Sequence, residues 1–178
     1  MNAPGRVTEA IPAVDTPLDF EAVFRLYYAR VARLIGRVVR DPGRSEELAV
    51  DVFWKLWRNP RLLEENIGGW LYRTAVRSGL YEIRRQGRRD RVSHLLGRRE
   101  SPPNPEQVHT AAEEQKQVRT VLARMDGRRA ELLLLRSSGL RYEELAAALA
   151  LNPASVGTLL ARAQQAFRKE YIQLYGER

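Results

Sequence analysis

The side chains that most often carry catalysis or bind metals are scarce in this sequence. It has two histidines, His94 and His109, and no cysteine. Neither histidine has a second histidine or a pair of carboxylates at ligand spacing, so we expect both to be surface residues. The sequence also lacks a glycine-rich phosphate loop and a nucleophile elbow. These features predict a protein that is not an enzyme and that uses no metal or cofactor.

Arginine side chains offer a different chemistry, the binding of phosphate groups. Five residues recur at helical spacing on one face of a predicted helix: Arg73, Arg77, Tyr81, Arg84 and Arg88. Further arginines extend this basic tract: Arg85, Arg89, Arg91, Arg98 and Arg99. Positive side chains follow a phosphate backbone and an aromatic ring stacks on an unpaired base, so the pattern predicts contact with single-stranded or melting DNA. The alternative is a charged helix face that contacts only water.

A tight turn near the end of the sequence predicts a second nucleic-acid-binding element. A short helix rich in alanine and leucine leads into this turn, where Asn152 can cap and Pro153 can begin the next helix. The arrangement is typical of a helix-turn-helix, whose second helix enters the major groove. Ser155, Thr158 and Arg162 would share one face of that helix and suit base edges or phosphates. An ordinary helical hairpin is the alternative.

A third pattern suggests a protein partner. One predicted helix carries apolar residues among charged ones on the side opposite its buried stripe: Glu47, Val50, Asp51, Trp54 and Lys55. A valine and a tryptophan on a charged face indicate a protein-binding surface. The alternative is that the first helix partly covers Trp54. We expect Trp57 to lie among the buried residues of the same helix.

Composition limits the classes of protein to consider. The chain has 178 residues, 44% of them hydrophobic, and a formal net charge of +8, which favours nucleic acid as a partner. No stretch approaches the roughly 20 apolar residues of a membrane-spanning helix. The first 17 residues lack the basic and apolar regions of a secretory signal, so we expect a cytoplasmic protein.

Helical spacing of apolar residues predicts three helices in the first half of the chain. The first follows a capping Thr16 and stops at residues 41–43. The second begins at Ser45, whose side chain is the predicted cap, and ends at residues 59–60. The third follows a loop and covers residues 70–86.

A proline-dense segment, residues 97–105, predicts a linker between two small domains. We expect a flexible tail at residues 1–17, a first domain at 18–96 and a second domain at 106–178. The second domain is predicted to contain four helices, and no alternating strand pattern occurs in the sequence. The predicted fold class is therefore all-α, with a three-helix bundle and a four-helix domain.

In their order and spacing, these segments resemble the extracytoplasmic-function (ECF) sigma factors of bacteria, small members of the sigma-70 family that keep only regions two and four. Residues 45–57, SEELAVDVFWKLW, are similar to the helix that docks on the polymerase clamp. Residues 70–75, WLYRTA, are close to the tryptophan-bearing segment before the basic helix. Residues 139–146, GLRYEELA, and 155–158, SVGT, are similar to the start of region four and to its recognition helix.

This resemblance implies a division of roles. The second helix would bind the largest subunit of RNA polymerase, the basic third helix with its preceding loop would capture and melt the minus-ten element, and the helix-turn-helix would read the minus-thirty-five element. Catalysis would belong to the polymerase. The implied partners are core RNA polymerase, promoter DNA and an anti-sigma factor, without membrane insertion, and we expect a monomer when the protein is free.

The sequence departs from the family's usual residues at several contact positions. Val50 replaces a Gln, Arg77 and Tyr81 replace a common Asn and Asp, and Leu160 stands where a Lys or Arg is usual. These changes affect the expected base preference in region two and the phosphate affinity in region four. In region four, phosphate contacts would then fall to Arg162, Arg168 and Lys169.

Two other functions remain open from the sequence. A sigma-like decoy would bind an anti-sigma factor and contact no promoter, although the retained basic tract argues against it. A stand-alone regulator would use the same helix-turn-helix as a dimer, for which we find no additional dimerisation helix. The linker sets the reach of the domains and not their orientation, so a packed arrangement that hides both DNA faces is also open.

Overall fold

The protein is all-helical in the residues that the computed structural model describes, which are 19–64, 66–95 and 109–176. These ranges contain two short 3₁₀ turns and seven α-helices: α1 (Phe20–Val39), α2 (Pro42–Trp57), α3 (Ile67–Leu95), α4 (His109–Arg124), α5 (Gly127–Ser137), α6 (Tyr142–Leu149) and α7 (Val156–Tyr175). The predicted fold class is confirmed. The predicted tail at 1–17 and linker at 97–105 lie outside the described residues, so the domain boundaries stay predictions.

The starts of α1 and α2 differ from those predicted. Asp19, and not Thr16, caps α1, because its Oδ1 accepts from the N–H of Ala22 at 2.7 Å. Helix α2 begins at Pro42, three residues before Ser45, and Asp41 is its cap. The Asp-Pro-Gly sequence was therefore wrongly interpreted as a break alone, since proline fits the first turn of a helix, where its missing N–H costs nothing.

Helix α3 is longer than predicted at both ends. The predicted loop before Trp70 is its first turn, which the side chain of Asn66 caps by accepting from the N–H of Gly69 at 3.0 Å. The helix also continues through Gly87 to Leu95, so glycine does not end it. All of the basic residues from Arg73 to Arg91 consequently lie on one continuous helix.

Helices α1, α2 and α3 form a first lobe around a core of aliphatic and aromatic side chains. Val23, Val31, Val52 and Leu71 are fully buried at the centre of this core. Trp57, predicted to be buried, is 58% exposed, and its ring lies edge-on against Phe20 with the centroids 5.1 Å apart. The prediction for Trp57 was wrong because this residue lies at the last position of α2, where the helix reaches the rim of the bundle.

Helices α4 to α7 form a second lobe. Asp126 caps α5 by accepting from the N–H of Arg129 at 3.1 Å, and the helix begins at the next residue, Gly127. Gly139, with a φ of 98°, lies in the turn after α5, in the left-handed region that favours glycine. The core of this lobe includes Leu135, Leu145 and Val156, each fully buried.

The two lobes pack against each other, with α3 against α4, α5 and α6. The start of α3 comes very close to the end of α6, because a Cβ added at Gly69 would lie 3.0 Å from the Cα of Ala148. Any larger residue at this position would require a local shift. The packed arrangement left open by the linker is the one that the structure adopts.

Candidate nucleic-acid and partner interfaces

The outward face of α2 carries exposed apolar side chains. Val50 is 53% exposed and Trp54 is 58% exposed, so α1 does not cover the tryptophan. Glu47, Asp51 and Lys55 are exposed on the same helix. Because the apolar residues on the other side of α2 are buried in the first lobe, the helix has one packed face and one face available to a partner.

One buried acid that the sequence analysis missed holds this face in place. Glu82 on α3 is 2% exposed, and its Oε2 accepts from the Nε and Nη2 of Arg44 at 3.1 and 3.0 Å. Arg85, predicted to bind DNA, donates to the other carboxylate oxygen at 3.3 Å. The pKa of Arg44 is raised by its hydrogen bond to Glu47, which has the larger effect, and by its hydrogen bonds to Glu82. The sequence did contain a signal for this buried acid, because Glu82 lies between Leu80 and Ile83 on the apolar side of the predicted helix.

The basic face of α3 is not simply solvated. Arg77 makes a bidentate ion pair with Glu131 of α5, from Nε to Oε1 at 2.8 Å and from Nη2 to Oε2 at 3.2 Å. Arg73 donates to the carbonyl of Ala148 at 3.0 Å. Three of the arginines predicted to bind DNA therefore contact the second lobe: Arg73, Arg77 and Arg84. This excludes the alternative that they contact only water.

Arg84 contacts the end of α4. Its Nε donates to the carbonyl of Ala123 at 3.0 Å and its Nη2 to the carbonyl of Met125 at 2.9 Å. Other members of the predicted DNA-binding set stay open to solvent, since Tyr81 is 62% exposed and Arg88 is exposed. The basic face thus has two parts: Arg73, Arg77 and Arg84 bind the second lobe, and Tyr81 and Arg88 are open to solvent.

Helices α6 and α7 have the geometry of a helix-turn-helix. Their axes differ by 114° across the turn, within the range of about 90–120° that is typical of this motif. Ala150 ends α6 in the left-handed conformation, with a φ of 52°. As predicted, Asn152 caps the next segment by accepting from the N–H of Ala154 at 3.0 Å. The Glu144 Oε2 accepts from the main-chain N–H of Arg141 at 2.6 Å, which stabilises the start of α6.

The predicted reading face of α7 is open to solvent. Ser155, Thr158 and Arg162 are all exposed, as are Arg168 and Lys169 further along the helix. On the other side of the helix, Val156 and Leu160 are buried in the second lobe. Leu160 is only 4% exposed. The position at which a Lys or Arg is usual in the family is therefore buried here and does not belong to the exposed face of α7.

The sequence left open a packed arrangement that hides both DNA faces, and the structure does not hide both of them. The guanidinium groups of Arg73, Arg77 and Arg84 bind groups of the second lobe, although the Arg77 side chain is still 57% exposed. The reading face of α7 is open to solvent. A fourth contact between the lobes runs the other way, from Nη1 of Arg119 on α4 to the carbonyl of Val39 at 3.3 Å. Burial, together with the charge of Arg40, lowers the pKa of Arg119.

No metal site is formed by the described residues, in which no three His, Asp or Glu side chains come together to hold an ion. The side chains of His94 and His109 lie outside what the structure describes. None of the described helices could cross a membrane by itself. Helix α6 and the segment Pro153–Tyr175 meet the length and composition criteria only as a pair, which is bent by 114°.

Comparison with known proteins assigns these features to a family. The profile for sigma-70 region 2 matches residues 23–89, which cover most of the first lobe. An ECF RNA polymerase sigma factor SigK from Mycolicibacterium vanbaalenii is 31% identical over 157 residues, which are 84% of this chain and 80% of the relative. A SigK from Mycobacterium bovis is 28% identical over 159 residues, with 83% of each chain covered.

A solved structure shares the fold. It is the sigma factor RpoE of Bartonella quintana in complex with the anti-sigma factor NepR, with a TM-score of 0.50 and 18% identity over 85% of this chain and 95% of that one. The identity and coverage of the first relative, together with the sigma-70 region 2 match over α1–α3, lead to one conclusion: the chain belongs to the ECF sigma factors of RNA polymerase.

Proposed function

We propose that this sigma factor divides promoter recognition among three surfaces. The outward face of α2 binds core RNA polymerase, the basic face of α3 engages the minus-ten element as it melts, and the reading face of α7 binds the minus-thirty-five element. The observation that carries the proposal is that one structure has both an open apolar face on α2 and an open polar face on α7, each on a helix whose other side is buried.

The α2 surface is suited to a protein partner. Trp54 and Val50 expose apolar area one helical turn apart, and Asp51 and Lys55 flank them with opposite charges. Tryptophan is enriched among the residues that contribute most to binding energy, and surrounding polar groups set orientation. These properties support assigning the polymerase contact to Glu47, Val50, Asp51, Trp54 and Lys55.

The α3 surface is suited to nucleic acid with unpaired bases. Tyr81 exposes a ring among arginines, and exposed Arg88 extends the positive charge along the helix. Stacking on an aromatic ring contributes about 1–3 kcal/mol per base and requires a base outside the duplex. We assign Arg73, Arg77, Tyr81, Arg84 and Arg88 to DNA in the open complex. Arg85, also predicted to bind DNA, donates to Glu82 instead, and we assign it to orienting the helix.

The α7 surface is suited to duplex DNA. Ser155 and Thr158 offer short hydroxyl groups at the start of the helix, and Arg162 lies one turn later on the same face. An arginine in the major groove can bind a guanine through two hydrogen bonds, and Arg168 and Lys169 add positive charge toward the end of the helix. We assign base reading to the first three residues and phosphate contacts to the last two.

The remaining roles follow from these assignments. We infer that the polymerase carries out all catalysis and that the protein acts in the cytoplasm as a monomer when free. A structural neighbour was solved with its anti-sigma factor, which supports an anti-sigma factor as a third partner for this chain. The α2 face is a suitable target for such an inhibitor, because covering Trp54 would block the polymerase contact.

A titration of fluorescently labelled protein with bacterial core polymerase tests the α2 assignment. Trp54→Ala combined with Asp51→Ala should weaken core binding by about tenfold or more, while thermal unfolding stays unchanged because both residues are exposed. The matched control is Tyr142→Ala with Glu143→Ala, an exposed aromatic and acidic pair on α6. Equal core affinity for the two double variants would contradict the assignment.

Two other functions make different predictions for the same protein. A decoy would bind an anti-sigma factor tightly and support no transcription with core polymerase on any promoter. A stand-alone regulator would form a stable dimer and bind paired half-sites without polymerase. Sedimentation of the free protein separates the regulator from the sigma factor, which is expected to be a monomer.

A further inference from the structure

One buried carboxylate of the first lobe is shared between two helices. Oε2 of Glu82 on α3 accepts from Nε and Nη2 of Arg44 on α2, at 3.1 and 3.0 Å. The other oxygen, Oε1, accepts from Nη2 of Arg85 at 3.3 Å and from the side-chain amide of Gln86 at 3.4 Å. Hydrogen bonds between charged groups are usually about 2.7–2.9 Å long, so the longer contacts on Oε1 are the weaker set.

The arginine on Oε2 also reaches the surface assigned to polymerase. Nη1 of Arg44 donates to Oε2 of Glu47 at 2.6 Å. The side chain of Glu47 is 66% exposed, whereas that of Glu82 is 2% exposed. An unbroken chain of hydrogen bonds therefore runs from an exposed acid of the α2 face, through one buried acid, to Arg85 on α3.

Arg85 lies in the open part of the basic face. It follows Tyr81 by four positions and precedes Arg88 by three, so the three residues share one side of the helix. Tyr81 and Arg88 are exposed, whereas the side chain of Arg85 is 37% exposed and donates to Glu82. Its Nε is buried and has no hydrogen-bond acceptor among the described residues, which is unfavourable for a donor. A guanidinium is thus held back between two residues that are open to a ligand.

A comparison within the molecule shows that Arg44 does not use Glu82 fully. Arg77 places Nε on one oxygen of Glu131 and Nη2 on the other, which is the paired arrangement that suits a guanidinium and a carboxylate. Arg44 places the same two nitrogens on a single oxygen of Glu82, while its Nη1 is held by Glu47. Once Glu47 turns to a partner, Arg44 is free to take both oxygens of Glu82 and to displace Arg85.

We propose that Glu82 withholds Arg85 from DNA until core polymerase engages Glu47. This inference rests on the proposed roles of α2 and α3, and it limits the orienting role of Arg85 to the protein without polymerase. In the free protein, Glu47 holds Arg44 on one oxygen of Glu82, and Arg85 stays on the other. Contact of polymerase with Glu47 lets Arg44 take both oxygens, so Arg85 becomes available to a phosphate. Because linkage is reciprocal, DNA bound at Arg85 raises the affinity for polymerase by the same factor.

A substitution on the polymerase face tests this coupling in the free full-length protein. Glu47→Gln removes the charge that holds Arg44. It should raise the affinity for a mixed-sequence single-stranded oligodeoxynucleotide by about three- to tenfold at fixed salt, because a larger fraction of the protein has Arg85 available. The matched control is Glu46→Gln, which makes the same change of charge at the neighbouring exposed position. Equal affinities for the two variants would overturn the proposal.

The gain must also depend on Arg85. In an Arg85→Met background, Glu47→Gln should bind the oligodeoxynucleotide no more tightly than Glu46→Gln does. With Arg85 present, the slope of log affinity against log salt should be steeper for Glu47→Gln than for Glu46→Gln by about 0.7, the value for one further phosphate contact on a single strand. A loosened fold would give neither result. A gain that persists in the Arg85→Met background would overturn the proposal.

Measurements with core polymerase separate failure of this coupling from failure of the proposed function. Arg85→Met should weaken promoter binding by the holoenzyme at least threefold more than it weakens oligodeoxynucleotide binding by the free protein. If Arg88→Met and Tyr81→Ala leave promoter binding by the holoenzyme unchanged, the assignment of α3 to DNA is wrong. If they weaken it, and Arg85→Met has equal effects in the free protein and the holoenzyme, only the coupling is wrong.

Discussion

Arg44 and Glu82 are 38 positions apart in the chain, yet the guanidinium of the first donates two hydrogen bonds to a single oxygen of the second. Arg44 lies in the first turn of α2 and Glu82 in the middle of α3. The pair therefore connects the helix assigned to polymerase with the helix assigned to melting DNA. We expect it to fix the relative orientation of these two surfaces.

Loss of the buried partner in this pair should destabilise the protein more than loss of the exposed one. Glu82→Ala removes the buried carboxylate that accepts from Arg44 and Arg85 and should lower the free energy of unfolding by about 2–4 kcal/mol. Glu47→Ala removes an acid from the same Arg44, but its side chain is 66% exposed, so the loss should stay below about 1 kcal/mol. Urea unfolding of both variants makes the comparison, and equal losses would contradict the importance of burial.

A charge placed on the outward face of α2 should weaken polymerase binding. Val50 is 53% exposed and Val92, near the end of α3, is 54% exposed, so aspartate is tolerated by the fold at both positions. Core affinity should fall about tenfold or more for Val50→Asp, because a desolvated carboxylate would face the partner. Val92→Asp should bind core polymerase normally. A similar loss for both variants would indicate a general charge effect instead of a contact at α2.

Arg162→Ala distinguishes base reading from phosphate binding on α7. If Arg162 binds a base through two hydrogen bonds, promoter affinity should fall by about 1–3 kcal/mol and discrimination at one position of the minus-thirty-five element should relax. Arg128→Ala, an exposed arginine on α5, is the control. Binding to a panel of single-base variants of the element measures both effects. A small, uniform loss across the panel would reassign Arg162 to a phosphate contact.

Alkaline pH should destabilise the first lobe through Tyr27. Burial, together with the nearby Tyr72, raises the pKa of Tyr27 above its usual value of 10.0. The unfolded chain thus ionises first, and stability that is fully present below pH 10 is lost as the pH rises toward the folded-state pKa. Tyr27→Phe should reduce this alkaline loss, as measured by unfolding between pH 9 and 11. An identical pH profile for both proteins would contradict the assignment to Tyr27.

Much of the fold could be predicted because the apolar spacing is regular. The seven helices and the open face of α2 follow from residues that recur every three or four positions, as in the pattern that buries Val52 and Leu56 while exposing Trp54. The helix starts were less predictable. Asp41 and Asn66 cap helices from within sequences rich in glycine or proline, and such sequences also occur in loops.

The contacts between the lobes could not be predicted from local patterns. The helical spacing of Arg77 predicts a DNA-binding residue. Nothing near it in the sequence indicates that it pairs with Glu131, which lies 54 positions away. Arg119 showed no pattern at all, because its partner is a main-chain carbonyl. Contacts of this kind depend on how two lobes meet, and a linker sets only their reach.

Reconstituted transcription tests the central claim most directly. Purified protein is added to bacterial core polymerase on a pool of genomic fragments from the source organism, and the 5′ ends of new transcripts are mapped. The sigma-factor account predicts discrete start sites that require this protein, share upstream elements and are lost with Trp54→Ala combined with Asp51→Ala. Tight binding to core polymerase without any specific start site would contradict it and would favour the decoy that binds an anti-sigma factor and contacts no promoter.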